Sequence, residues 1–220
     1  SWNFAATAYL NQWKVKIYYE HYFDDHSQMF FQYGRWKDGH IGLEITFPKN
    51  RFIDTFVYEG LGTKDQTGPM LYDSFWGEFE EQISAKDNYY NHYLYQGWQH
   101  WGMGIGNPLL PGPIYNKNGQ ITFISNRVLA HHIGFCGSPC QSLSYRMLLS
   151  YSSHWGTYDN PLNEIKKQFN SLFEVTYAPQ QLKGWSFTVS GAMDRGSMLG
   201  NNYGGMLVIR KQGIIKSGNK

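Results

Sequence analysis

The 220-residue sequence has few charged residues and no long apolar run. Asp, Glu, Lys and Arg make up only 16% of the chain, compared with about 25% in ordinary soluble domains. The formal net charge of +2 indicates no concentrated basic face, so we expect no nucleic-acid partner. No stretch of about 18 apolar residues predicts a transmembrane helix. The residues after Ser1 lack the pattern of a signal peptide, so we expect that a signal was removed or that the chain is part of a longer protein.

Aromatic residues and glycine, in contrast, are abundant. The chain has 17 Tyr, 14 Phe, 8 Trp and 24 Gly, and aromatic residues make up 18% of it. Aromatic side chains favour β-strands, and Tyr and Trp favour the boundary between an apolar and an aqueous phase. This composition predicts a β-protein that presents an aromatic surface.

Apolar and polar residues alternate with a period of two along much of the chain, which places successive side chains on opposite faces of a strand. In residues 13–20, WKVKIYYE, the odd positions are apolar or aromatic and the even positions carry Lys, Lys, Tyr and Glu. Similar patterns predict strands in residues 41–47, 143–152, 169–177, 185–190 and 203–211. Residues 2–11, 52–58 and 120–135 are also strand-like, and the last range fits either one long strand or two.

Sustained alternation over about eight to twelve residues fits strands that cross a membrane at a tilt. We therefore predict an all-β fold, an antiparallel outer-membrane β-barrel with lipid on the apolar face and a wet lumen on the other. The alternative is a soluble antiparallel sandwich or barrel whose apolar face lies in a core. Because unpaired charges are costly in a lumen, we predict a structural salt-bridge network there. Its members are Arg146, Glu174, Asp194 and Arg210.

One long irregular connection, at about residues 61–117, contrasts with short turns such as Asn118-Gly119. Long loops on one side and tight turns on the other are typical of outer-membrane barrels. Helical spacing predicts a short amphipathic helix at four residues of this connection, Phe75, Trp76, Phe79 and Ile83.

Gly102, Gly104 and Gly106 form a G-x-G-x-G run that does not fit a dinucleotide-binding site. Such a site needs a helix directly after the glycines, and Pro108 and Pro111 prevent a helix there. The run is also one residue shorter than the G-x-G-x-x-G pattern. The glycines and prolines therefore indicate a tightly folded loop.

The central motif at residues 97–110, GWQHWGMGIGNPLL, resembles the capsule-assembly (Wzi-type) outer-membrane proteins in their Bacteroides-like form. Further segments are similar to the same family in the same order: DNYYNH at 87–92, PIYN at 113–116, NRV at 126–128, AHH at 130–132, YR at 145–146, WGTY at 155–158, AMDRG at 192–196 and GNNYG at 200–204. The resemblance extends from about residue 68 to residue 213.

The resemblance implies a β-barrel in the outer membrane of a Gram-negative bacterium, without enzymatic activity and without a cofactor. Its implied function is to bind capsular or another surface polysaccharide and to help assemble or anchor the capsule. Family members are longer, so residues 1–220 are expected to form one partial barrel domain, the C-terminal portion of a monomer surrounded by outer-membrane lipid. The chain departs from many such barrels because it ends on Lys220 rather than on an aromatic residue.

Aromatic residues of the long connection are the candidate glycan-binding residues. A flat amphipathic ring stacks on a sugar and leaves a polar edge for the hydroxyl groups. The alternative is that these rings pack the connection into the barrel. The candidates are Tyr89, Tyr90, Tyr93, Tyr95, Trp98 and Trp101.

Histidine and acidic residues give no strong indication of a metal or catalytic site. His131 and His132 are adjacent on a predicted strand and face opposite sides, so we expect no shared metal ion. Glu78, Glu80 and Glu81 suggest a second reading, a soluble carbohydrate-active enzyme or glycan-binding module, because glycosidases use paired carboxylates. We interpret them instead as exposed acids of the predicted helix.

Cys136 and Cys140 flank a predicted turn, Gly-Ser-Pro. A tight turn brings two thiols together, and the cell envelope is oxidising, so the sequence allows a disulfide between them. Free thiols are the alternative.

Overall fold

The computed structural model describes residues 1–22, 38–50, 52–64, 97–158 and 160–213, and the fold is all-β. The strands in these ranges are β1 (Trp2–Leu10), β2 (Trp13–His21), β3 (Gly39–Thr46), β4 (Thr55–Gly62), β5 (Gln99–His100), β6 (Met103–Gly104), β7 (Val128–Cys140), β8 (Leu143–Gly156), β9 (Pro161–Tyr177), β10 (Trp185–Gly196) and β11 (Asn202–Lys211). A single 3-10 turn, Pro113–Tyr115, also lies in them. Within the described part of the chain, no helix has the length and apolarity needed to cross a membrane.

Nine strands form one antiparallel sheet in the order β1-β2-β3-β4-β7-β8-β9-β10-β11. Each strand after β1 pairs in antiparallel fashion with the strand before it in this order. β5 and β6 form a separate hairpin inside the connection between β4 and β7. The predicted antiparallel all-β fold is therefore confirmed.

One face of the nine-stranded sheet is apolar from edge to edge, and we call it the apolar face. The strand register aligns a row of side chains on this face, one from each strand: Ala6, Ile17, Leu43, Tyr58, Ile133, Leu149, Ser171, Met193 and Tyr203. Large hydrophobic side chains on this face are exposed, among them Ile17, Ile133 and Phe173. No layer of the described chain covers it.

The opposite face, which we call the polar face, carries most of the polar side chains. The neighbouring row in the register reads Ala5, Tyr18, Gly42, Glu59, His132, Ser150, Asn170, Asp194 and Asn202. A one-residue shift of any strand would exchange the two sets, so the contrast between the faces strongly specifies the register.

Most predicted strands are present, with changes at their ends. β8 and β9 extend over 14 and 17 residues, more than the roughly 9–11 residues that a tilted strand needs to cross a membrane. Three predicted starts are wrong by three residues or more. β4 begins at Thr55 rather than Phe52, and β7 begins at Val128 rather than Gln120. β9 begins at Pro161 rather than Phe169.

The two ends of the sheet have different connections. At one end, residues 11–12 and 141–142 form two-residue turns, and residues 47–54 and 178–184 make longer links. At the other end, the links are residues 22–38, 157–160 and 197–201 together with the long connection, which spans residues 63–127 rather than the predicted 61–117. The predicted helix at residues 75–83 lies outside the described residues.

The small apolar core lies where the long connection meets the polar face. Leu110 from the connection packs with Leu61, Val128 and Ala130 of β4 and β7. Thr63 fixes the two ends of the connection together, because its hydroxyl donates to the Asn126 carbonyl at 2.7 Å. The described end of the connection therefore covers the polar face and leaves the apolar face open.

The nine strands do not form a closed ladder among the described residues, since no pairing joins β1 to β11. Eight successive antiparallel pairings leave β1 and β11 pointing in the same direction. They therefore cannot become antiparallel neighbours of each other.

Candidate functional site

The hairpin β5–β6 presents Trp101 at its tip. The two turn residues have positive backbone angles, φ 52° at Trp101 and φ 80° at Gly102. Two successive positive φ values are the signature of a type I′ turn, in which Asn-Gly is the favoured pair. A bulky residue in this region costs about 1 to 3 kcal/mol. The hairpin therefore holds Trp101 in a disfavoured backbone conformation.

The Trp101 side chain is exposed rather than packed. It is 84% exposed, and its ring meets that of the neighbouring His100 edge-on, with 6.1 Å between centroids. Gly102 stabilises the turn by donating its N–H to the Gln99 side-chain oxygen at 2.8 Å. The strained turn therefore exposes the Trp101 ring to solvent, and little burial of the ring offsets the cost of the backbone conformation.

Glycines allow the hairpin to lie directly on the segment that follows it. The Gly102 carbonyl accepts the N–H of Ile114 at 2.7 Å, and a Cβ on Gly112 would overlap the backbone of Gly104. The Ile105 N–H returns to the Trp98 carbonyl at 2.8 Å. In the structure, the glycines of the G-x-G-x-G segment serve close backbone packing.

Trp98 lies at the base of the same hairpin and faces the sheet. It is 60% exposed and lines a cavity of about 500 Å³. Glu20 and His40 from the polar face line this cavity too, together with Leu110 from the core. Trp98 and Trp101 therefore belong to one small unit, in which the Trp98 ring lines the cavity and the Trp101 ring is exposed at the tip.

The other predicted glycan-binding residues lie outside the described residues: Tyr89, Tyr90, Tyr93 and Tyr95. The acidic residues Glu78, Glu80 and Glu81 lie outside them as well.

A polar cluster beside the first cavity was missed by sequence reasoning. The Tyr18 hydroxyl on β2 donates to the Glu59 carboxylate on β4, and His40 Nε2 lies 3.5 Å from the same carboxylate. Gly42 on β3 lies between them, and a Cβ there would overlap the Tyr18 ring. The sequence signal for this cluster was Gly42 itself, because a glycine inside a strand often marks a place where another group approaches the backbone closely.

The predicted lumen charges do not form one network. Arg146 pairs with Glu174 on the neighbouring strand, with 3.3 Å between Nη2 and Oε1. Asp194 accepts a hydrogen bond from the Asn170 amide at 2.7 Å. Arg210 is opposite Ser186 in the register. All four charges do lie on the polar face, but rows of the sheet separate them, so the single network was wrong.

The two cysteines are free in the structure. Both lie in β7, and the turn follows Cys140 at residues 141–142 rather than separating the pair. Residues four apart on a regular strand are about 13 Å apart, whereas a disulfide needs Cα atoms within about 7 Å. The register shift between Gly137 and Cys140 bends the strand locally. This arrangement does not form the bond that the sequence allowed.

The adjacent histidines face opposite sides, as predicted. His131 on the apolar face is bonded through Nδ1 to the Tyr58 hydroxyl at 2.8 Å. His132 on the polar face is bonded to the Ser150 hydroxyl at 2.7 Å. Within the described ranges, no group of three or more His, Cys, Asp or Glu side chains is placed to hold a metal ion.

Comparison with protein-family models, with curated proteins and with solved structures finds no match for this chain. The functional reading therefore depends on the two faces of the sheet and on the tryptophan hairpin.

Proposed function

We propose that this chain is part of a non-enzymatic outer-membrane β-barrel that binds capsular or another surface polysaccharide and helps to assemble or anchor the capsule. The observation that carries this proposal is the two-sidedness of the sheet, with the apolar face open across all nine strands. Monomeric soluble proteins rarely expose contiguous apolar patches larger than a few hundred Å². Lipid is the surrounding that makes such a face favourable.

The ends of the apolar face support this reading. Trp13 and Trp185 lie at the starts of β2 and β10, at the end of the sheet that has the two-residue turns. Trp2 and Tyr203 lie near the starts of β1 and β11, at the opposite end. Tyr and Trp are enriched where a membrane meets water. The apolar face thus carries aromatic residues at both ends of its strands, where the two boundaries between membrane and water are expected.

The glycan part of the proposal is supported by the tryptophan hairpin. It lies at the end of the sheet with the long connection, and long loops are extracellular in outer-membrane barrels. A strained backbone that persists at an exposed site motivates a functional hypothesis. An exposed ring also binds a sugar by stacking, with little rotamer entropy to lose.

The test is Trp101→Asn in the full chain, because this change improves the turn while removing the ring. Asn-Gly is the preferred pair of a type I′ turn, so we expect unchanged or higher stability. We expect retention of surface polysaccharide by cells to fall, and affinity for the isolated polysaccharide to drop about tenfold or more, which corresponds to ~1.4 kcal/mol.

Met103→Asn is the matched control, since Met103 is exposed in the same hairpin and has no ring. It should leave polysaccharide retention unchanged. If Trp101→Asn retains polysaccharide as well as the parent protein does, the stacking role of Trp101 is wrong.

A further inference from the structure

Three cavities line up beneath the long connection and form one trough on the polar face, which we call the cross-strand groove. Their volumes are about 500, 320 and 210 Å³. The first and second share His40, Leu61 and Asn107 as lining residues, and the second and third share Pro108, Leu109 and Ser150. The three cavities therefore adjoin one another from the hairpin toward the middle of the sheet.

The groove runs across the strands rather than along them. Its floor begins at Glu20 on β2 and ends at Asn170 on β9, and it passes over β3, β4, β7 and β8. Neighbouring strands are about 4.8 Å apart, so these five intervals span about 24 Å. Such a length suits an extended chain better than a compact small molecule.

The chemistry of the groove changes along its length. At the hairpin end, Trp98 and Ile105 offer apolar surface next to Leu110. At the far end, the floor carries hydroxyl and amide groups, including Ser150 and Asn170. A ring for stacking followed by hydroxyl and amide partners fits the alternating apolar and polar surfaces of a sugar chain.

The charges in the groove are acidic. Glu20 and Glu59 line its first half, and none of the described residues lining the three cavities is Lys or Arg. Two nearby cations are occupied elsewhere, because Lys64 lies over the Trp155 ring and Arg127 over the Tyr158 ring. A chain of uronic acids would place carboxylates beside these two glutamates where no Lys or Arg of the described lining compensates them, and like-charge contacts of this kind are unfavourable.

Building on the proposed function, we propose that the cross-strand groove binds an uncharged segment of the polysaccharide and discriminates against acidic sugar chains. Glu20 and Glu59 are its specificity-determining residues, and Trp98 is its stacking surface. The groove is distinct from the Trp101 ring, which projects at the hairpin tip.

The experiment compares two probes that differ only at C6 of each sugar, an oligogalacturonate with carboxylates and its carboxyl-reduced form with neutral hydroxymethyl groups, on the detergent-extracted full chain. We expect the neutral form to bind about tenfold or more tightly than the acidic form. Glu20→Gln combined with Glu59→Gln should narrow that ratio, since both amides keep a hydrogen-bonding oxygen without the charge. Equal or tighter binding of the acidic form to the parent protein overturns the proposal.

A blocking variant locates the binding. Ser150→Trp fills the groove where the second and third cavities join, and we expect it to weaken binding of the neutral probe about tenfold or more. Ser186→Trp is the control, because Ser186 lies on the polar face opposite Arg210, outside the groove. Circular dichroism of both variants shows that the sheet is intact.

The outcomes separate the groove from the wider proposal. If neutral-probe binding is unchanged in Ser150→Trp, or if neither probe binds to the parent protein, the groove assignment is wrong. The polysaccharide-anchoring function is judged separately, by the effect of Trp101→Asn on retention of polysaccharide by cells.

Discussion

At the scale of single residues, Gly42 shows how a missing side chain links three strands. Gly42 lies on β3, between Tyr18 on β2 and Glu59 on β4. Because Gly42 has no side chain, the Tyr18 ring crosses over β3 and reaches the Glu59 carboxylate. An aromatic ring that covers a cross-strand glycine also shields its backbone from solvent, which is a known device for stabilising sheets. The cluster orders the part of the polar face that borders the cross-strand groove.

We expect Gly42→Val to destabilise the protein by about 1 to 3 kcal/mol. The new side chain would overlap the Tyr18 ring, force it out of position and leave the Glu59 carboxylate without its hydroxyl donor. Tyr18→Ala in the same chain removes the overlap, so the second change should cost less in the Gly42→Val background than alone. Urea unfolding of the detergent-extracted protein measures these differences.

Gly204→Val is the control for this prediction. Gly204 also lies on the polar face, but an added Cβ meets nothing within 4 Å. It should leave the free energy of unfolding unchanged or raise it, because valine favours strands. If both glycine variants unfold alike, the Tyr18 arrangement is not what stabilises this region.

At the scale of the strand, β8 offers two neighbouring leucines on opposite faces. Leu149 lies on the apolar face opposite Ile133, and Leu148 lies on the polar face opposite Gly134. We expect Leu149→Arg to cost about 2 to 4 kcal/mol, as for a cation at the middle of the lipid-facing surface. Leu148→Arg places the same charge on the polar face, and if water covers that face it should cost less than about 1 kcal/mol.

Folding from urea into detergent or lipid, followed by circular dichroism, distinguishes the two arginine variants. The residues are adjacent in the sequence and chemically identical, so propensity and overall charge cancel in the comparison. A larger loss for Leu148→Arg would mean that the polar face is the buried one and that lipid does not cover the other.

The sequence could predict these strands where alternation is strict, as in β2, since the pleat itself imposes a period of two. It misplaced the start of β4, because Asn50 forms a local turn by accepting the N–H groups of Phe52 and Ile53 at 2.8 Å each. Residues 120–123 alternate too and residues 120–127 look strand-like, but no neighbouring strand pairs with them before Val128. Alternation records which way side chains point and not whether a partner strand is present.

The candidate site was harder to predict than the strands. The composition of the central motif identified Trp98 and Trp101 as candidates, but the turn that exposes Trp101 contradicts local preference, since tryptophan disfavours positive φ. The groove depends on residues from six strands, whose juxtaposition follows from register and not from proximity in the chain. Long-range pairing of this kind leaves no local signal in the sequence.

At the scale of the whole molecule, the direction of the edge strands limits how the proposed barrel closes. β1 and β11 point in the same direction, so in an antiparallel barrel an odd number of further strands must lie between them. Such strands would satisfy the unpaired backbone groups of both edges, which lipid cannot satisfy. The exposed side chains of β1 and β11 on both faces are consistent with neighbours beyond these edges.

The property that tests the proposed barrel most directly is whether the protein folds in a membrane as a closed barrel. Where further strands close the proposed barrel, we expect the protein extracted from membranes in mild detergent to migrate differently on a gel when unheated and when boiled, because a closed barrel resists unfolding by detergent alone. Circular dichroism of the unheated sample should show β-structure, and boiling should abolish it. A chain that is soluble without detergent and shows no mobility shift would instead bury its apolar face against protein, because so large a patch is otherwise unfavourable in water. In that case Leu149→Arg should still destabilise the fold, but because it buries a charge against protein and not because it places a charge in lipid.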